Sequence, residues 1–270
     1  MSRYYELMQD TRFEVIESPK PAATSAPAHA APTVSASVSA GVGAGEASVA
    51  SVAKAGRPLE MDHTACEEAL KLVQRIFLAQ TQEERRMVAF AAVDKGGGCS
   101  QIVARVAESL TNNVRGSICV VEANLRSPSL PSIFGTTNHY GLTDAVLKEG
   151  PIRAFTKPLY SDNLWLLSSG SLTGDSTQLF HSERLKARLC ELRKEFDYVV
   201  IDAPPLARYA DAVTLGQISD GLVLVLEAHA TRREVAQSIA SNLQAAKVKV
   251  LGAVLNKRTY PIPEAIYRKV

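Results

Sequence analysis

The residues best placed to do chemistry lie in AFAAVDKGGGCSQIVARVAESL (89–110). There an apolar run ends in three consecutive glycines, Gly96, Gly97 and Gly98, and passes straight into an amphipathic, helix-like stretch. Strand, glycine turn and helix in that order make a cradle for phosphate. Backbone N–H groups turn inward, and the helix points its positive end at the anion. Glycine is needed where the backbone must approach phosphate oxygens or take conformations that a Cβ resists. A glycine turn used only for packing fits the same pattern, so three glycines alone leave both readings open. Cys99 sits at the loop–helix junction, where the helix end is expected to lower a thiol's pKa and favour oxidation. An inert replacement is the other reading of that thiol.

The elements that must position this loop are legible as apolar runs. MVAFAAV (87–93), SICVVEA (117–123), YVVIDA (198–203), GLVLVLEA (221–228) and VKVLGAVLN (248–256) are continuous rather than alternating. Strands covered on both faces read this way in a parallel sheet. LWLLSS (164–169) is a sixth strand of the same kind, and helices fit 64–80, 100–112, 181–195, 208–217 and 231–246. Strands alternating with helices predict an α/β fold, a mostly parallel doubly wound sheet with helices on both faces. Asp202 stands at the C-terminal end of the 198–203 strand, where such sheets bind ligands. An Asp that only caps the turn before Pro204 is the alternative.

Composition divides the chain in two. Residues 19–57 are nearly all Ala, Ser, Val, Pro and Gly, too poor in large apolar side chains to offset chain entropy. Residues 1–58 therefore read as a disordered leader and 59–270 as the folded domain. Within the leader, Ser2 to Ile16 is either a disordered terminus or a docking helix. The net charge of +2 gives no global field for nucleic acid, so none is expected as a partner. No apolar run reaches the ~20 residues that span a bilayer. The four cysteines, 66, 99, 119 and 190, show neither CxxC spacing nor disulfide density, which suits a reducing cytoplasm. Cys66, Cys119 and Cys190 read as core or near-core filler.

At KGGGCSQ (95–101) the chain resembles a family. The segment is similar to the deviant Walker A loop, KGGxGK[ST]T, of Min/Par-type ATPases and bacterial tyrosine kinases. VVEANLRSPSLPSIFG (120–135), GLTDAV (141–146), NLWLLSSG (163–170), FDYVVIDAPP (196–205), DGLVLVLEAHATRRE (220–234) and VLGAVLNK (250–257) match blocks of the tyrosine kinases in order and spacing. The resemblance covers about 64–270 and points to the capsule and exopolysaccharide branch. It implies a P-loop NTPase-like domain that takes ATP or ADP with Mg²⁺. Its expected partner is a membrane polysaccharide co-polymerase at the inner face of the plasma membrane, with a homo-oligomer as a further possibility. It assigns nucleotide contacts to Gly96, Gly97, Gly98, Cys99, Ser100, Gln101 and Asn256, metal contacts to Ser100 and Asp202, and catalysis to Asp202, Glu122 and Lys95.

The departures from the family pattern decide the chemistry. Where the family has a lysine on the β/γ-phosphates, this chain has Cys99, which supplies no cation. The two aspartates of the second Walker motif correspond to Glu122 and Asn124, so one carboxylate is lengthened and the other lost. Lys95 matches the family's additional lysine and is either a partial substitute for the missing charge or a solvated loop lysine. The ExxRxxR oligomerisation helix is reduced to Glu68, Lys71 and Gln74, and the tyrosine-rich tail to Tyr260 and Tyr267. Three functions compete: a weakly catalytic or non-catalytic regulator of exopolysaccharide biosynthesis and export, an active ATP-dependent protein-tyrosine kinase, and a Min/Par-like positioning ATPase.

Overall fold

Val88, Phe90 and Ala92 of one strand face one hydrophobic core, while Met87, Ala89 and Ala91 of the same strand face a second. That division is why the run is apolar throughout: a side chain on either face of a doubly covered strand is buried. The structure, a computed structural model, describes residues 15–19, 55–79, 84–171, 176–180 and 182–258. Its strands are β1 (Val15–Pro19), β2 (Met87–Ala92), β3 (Ile118–Glu122), β4 (Lys157–Pro158), β5 (Leu164–Leu167), β6 (Tyr198–Ala203), β7 (Gly221–Glu227) and β8 (Val250–Arg258). They form one sheet in the order β1-β8-β7-β2-β6-β3-β5-β4. Every pair is parallel except β4 with β5.

On one face lie α1 (His63–Ile76) and α2 (Cys99–Asn113). Asp62 starts α1 by accepting the Ala65 N–H at 2.7 Å. The spacing of Leu72, Val73 and Ile76 turns its apolar stripe onto Ile102, Val103, Val106 and Leu110 of α2. Each such buried aliphatic contributes roughly 1.5–3 kcal/mol. Two short helices, α3 (Leu130–Ile133) and α4 (Leu142–Leu147), follow β3. Next come a 3₁₀ turn (Ile152–Phe155), α5 (Ser176–Phe180), α6 (Glu183–Glu195), α7 (Asp211–Ile218) and α8 (Arg233–Ala245). Helices α4, α6, α7 and α8 cover the opposite face. This is the expected P-loop NTPase-like α/β architecture, and its six apolar runs are all strands. Among the described residues no helix is long and apolar enough to cross a membrane.

The N-terminal reading needs correcting where the structure describes it. Residues 15–19, placed in a disordered leader by composition, pair with β8 as the outermost strand. Residues 55–58 of the same leader are docked, with Ala55 N–H donating to Pro158 O and Arg57 N–H to Phe134 O. A sheet edge offers a row of unpaired backbone groups, and Val15–Ile16 supplies the β-branched residues that complete it. Composition averaged over a long window hides a five-residue strand. The remainder of the leader, Tyr260 and Tyr267 lie outside the described residues. Cys66 and Cys190 sit exposed on α1 and α6, whereas Cys119 is core. Amphipathic helices carry both faces, and these two thiols fall on the outer one. Glu68 and Lys71 are also on that side of α1, paired at 2.7 Å.

Candidate nucleotide site at the glycine loop

β2 is the central strand that feeds the loop, with β6 on one side and β7 on the other. The chain returns from α2 to β3, beyond β6, while β7 and β8 fill the other half of the sheet. The loop therefore sits at the switch point of the strand order. Gly96 and Gly98 hold φ of 92° and 82°, left-handed conformations that cost other residues strain. A Cβ on Gly98 would also stand 2.2 Å from Asn256 Nδ2. That amide donates to Gly97 O at 2.8 Å, so the end of β8 fixes the loop from below.

The first intrahelical bond of α2 runs from Ile102 N–H to Gly98 O. The N–H groups of Cys99, Ser100 and Gln101 accordingly lack intrahelical acceptors and stand at the positive end of the helix. They open on a cleft of about 350 Å³ lined by the loop, Ser100 and Gln101, and across from them by Asn124, Ser127, Ser129 and Ser132. Lys95 is exposed and lines the same cleft, as does Asp94. A second cleft of about 320 Å³, lined by Arg85, Arg86, Arg115 and Asp197, lies at the N-terminal ends of the strands. Parallel sheets bind ligands at the C-terminal ends, and the glycine loop is at that end.

Beneath the loop lie the two carboxylates. Glu122 and Asp202 are register partners at the ends of β3 and β6, both fully buried. Glu122 Oε2 accepts the N–H groups of Ser129 and Leu130 at 2.7 and 2.8 Å, which secures the start of α3. Its Oε1 and both oxygens of Asp202 are buried without a hydrogen-bond partner among the described residues. Cys99 and Ser100 are close enough to Asp202 to favour its charge, but neither hydroxyl nor thiol makes a well-formed bond to it. Burial, and then the Asp202 charge, pushes the Glu122 carboxyl up to about 8. Burial raises Asp202 as well, to about 6. Burial penalises the charged form of each carboxyl, which is the direction of both shifts.

Cys99 overturns an expectation. Its thiol is pushed well above the ordinary range, first by burial and then by the charge of Asp202, with Glu122 adding to it. A helix end offers roughly 0.3–1 kcal/mol to a thiolate, less than one pKa unit. Desolvation beside two carboxyls outweighs it. The thiol is neutral here, so it neither repels phosphate nor is primed for oxidation.

The structure brings Lys95, Gly96, Gly97, Gly98, Cys99, Ser100 and Gln101 together around one cleft. It places Glu122 and Asp202 behind that wall, and Asn256 under the loop rather than in the cleft. The serine wall was not singled out from sequence; the spacing of Ser127, Ser129 and Ser132 in RSPSLPS is the signal that could have found it. Beside it Arg126 pairs with the buried Asp211 and lies 4.1 Å over the Tyr209 ring, an anchor joining the β3 loop to α7.

No family model matches the chain. It is 29% identical to the tyrosine-protein kinase YwqD of Bacillus subtilis over 181 residues, covering 67% of this chain and 76% of that protein. Its relatives are bacterial tyrosine-protein kinases. The succinoglycan biosynthesis transport protein ExoP of Rhizobium meliloti is 27% identical over 64% of this chain, which spans 22% of that longer protein. Among solved structures, the chimerical protein CapA2B2 superposes with a TM-score of 0.69 at 19% identity, over 77% of this chain and 96% of that one. At that identity the match speaks for the fold. Solved neighbours of the fold include ATP-bound and Mg-ADP-bound proteins. The chain is thus similar in sequence to bacterial tyrosine-protein kinases and shares the fold of the solved structure.

The residues fit a bound nucleotide only in part. Backbone N–H groups, the glycine loop and the Ser100 hydroxyl suit phosphate and its metal, and the orphaned oxygens of Asp202 are of the right chemistry for a cation. Among the described residues that line the cleft, the one cationic side chain is the exposed Lys95.

Proposed function

We propose that this chain is a regulatory, weakly catalytic or non-catalytic member of the tyrosine-kinase-like proteins of exopolysaccharide biosynthesis. It acts in the cytoplasm and engages a membrane polysaccharide co-polymerase through protein contacts. One observation supports the reading: Cys99, which the family resemblance sets at the phosphate-binding lysine, is a buried thiol pushed well above its ordinary range by burial and by Asp202. The glycine loop remains competent to hold phosphate through backbone N–H groups alone, so nucleotide acts as a ligand more than a substrate. When bound, ATP or ADP with Mg²⁺ would supply the phosphates and the cation. Gly96–Gly98 and the start of α2 would cradle the phosphates, and Ser100 would present its hydroxyl to the metal.

The test is radiolabelled phosphate transfer to tyrosine by the purified full chain, alongside calorimetric titration with Mg-ADP and Mg-ATP. The expected result is no transfer above that of Asp202→Ala, with Cys99→Lys binding nucleotide at least ~10-fold more tightly than wild type, about 1.4 kcal/mol. Tyrosine phosphorylation by the unaltered chain that vanishes in Asp202→Ala would refute the proposal. The active-kinase reading has one observation in its favour: Lys95 is exposed in the cleft lining, within the same loop. Under that reading Lys95→Ala abolishes transfer.

A further inference from the structure

Asn256, two residues before the end of β8, holds the phosphate loop, and the strand outside β8 is formed by residues 15–19. Val15, Ile16 and Glu17 pair in parallel with Ala253, Val254 and Leu255, and after a register shift Pro19 pairs with Arg258. The pairing therefore brackets Asn256, whose Nδ2 donates to Gly97 O, and Lys257, whose φ is 59°. β1 also lies against α1, which covers α2. Without β1, the last residues of β8 would form a sheet edge with one row of backbone groups unpaired, the kind of segment that opens first. Gly98, whose absent Cβ leaves room for the Asn256 amide, would lose its neighbour with it.

We propose that residues 15–19 are a tethered edge strand whose docking on β8 sets the order of the phosphate loop through Asn256. The tether geometry makes docking within one chain feasible. Residue 55 is bonded to Pro158 of β4 at the opposite edge of the sheet, seven interstrand spacings or about 34 Å away. Residues 20–54 join the two points, and 35 residues at up to ~3.3 Å each can span well beyond that distance. The inference concerns loop order in the free protein and stands whether or not the chain transfers phosphate.

Amide hydrogen exchange on the full chain tests it. Ile16→Pro/Glu17→Pro removes the strand's donors whichever residue faces β8. The expected result is exchange at least tenfold faster in 251–258 and, together with it, in 96–101, while β2 and β6 stay protected. Asn256→Ala should speed exchange in the loop but leave β8 protected, and adding the two prolines should then give no further change in the loop. Unchanged β8 exchange in the proline variant would overturn the docking, and a faster β8 with an unchanged loop would overturn the coupling. Protection of β8 that is lost on dilution would place the strand on a second copy and overturn the intramolecular assignment.

Discussion

Glu122 and Asp202 stand opposite each other at the ends of β3 and β6, two buried carboxyls with one structural bond set between them. Oε2 of Glu122 accepts the Ser129 and Leu130 N–H groups, while its Oε1 and both Asp202 oxygens are buried without a partner among the described residues. Both groups titrate above the usual carboxylate range because burial penalises ionisation. The folded state therefore binds protons that the unfolded chain has already released. That stability is fully present below the unfolded carboxylate pKa of ~4 and is lost as pH rises through the folded values, up to about 8 for Glu122. Denaturant unfolding should give a stability lower by a few kcal/mol at about pH 8.5 than at about pH 5. Asp202→Asn removes one acid and the charge that raises the other, so it should flatten this slope. A slope unchanged in that variant would show that other groups govern it.

The same burial predicts thiol behaviour. Cys66 and Cys190 are exposed, while Cys99 and Cys119 are buried and their thiols are pushed upward by burial. The thiolate is the species that reacts with alkylating agents. Mass spectrometry after brief iodoacetamide treatment should find Cys66 and Cys190 labelled and Cys99 and Cys119 at least ~100-fold slower, a gap that closes in denaturant. Fast labelling of native Cys99 would mean that the helix end, not the carboxyls, rules the site.

Much of this fold is legible in the sequence because its signal is local. Continuous runs such as YVVIDA and GLVLVLE are strands because both faces are covered, and the strand–glycine–helix order places the phosphate loop before any contact is known. What the sequence hides is set by distant partners. Cys99 lies beside the ends of β3 and β6, which are remote in the chain, so a helix-dipole argument alone gives the wrong direction for its pKa. Asn256 meets Gly97 across 159 positions, and strand spacing says nothing of that bond. β1 is too short and too close to Pro19 to show a strand pattern by itself.

Gly98 and Gly96 separate two kinds of glycine requirement. Both have left-handed φ, but only Gly98 has a neighbour in the way, the Asn256 amide at 2.2 Å from a built Cβ; Gly96 has open space. Gly96→Ala should cost about 1 kcal/mol, the strain of an ordinary residue in that region. Gly98→Ala must also displace Asn256 and break its bond to Gly97, so it should cost roughly 2–4 kcal/mol. Thermal unfolding of the two variants measures the difference. Equal costs would show that the Asn256 clasp yields without penalty.

Arg126 and Asp211 offer a test of what holds the serine wall in place. Asp211 is 3% exposed at the start of α7, and the Arg126 guanidinium, 25% exposed, reaches it from the loop after β3. Removing one member of such a pair leaves a buried charge without its partner, which costs more than the pair itself contributes. Arg126 also stacks on Tyr209, so its loss removes packing as well as charge. Arg126→Ala should destabilise the chain by roughly 2–4 kcal/mol. The double variant with Asp211→Ala should cost less than the two single variants added together, because the second change removes the stranded carboxylate. Additive costs in that cycle would mean that each residue is held by other contacts and that the pair does not join the β3 loop to α7.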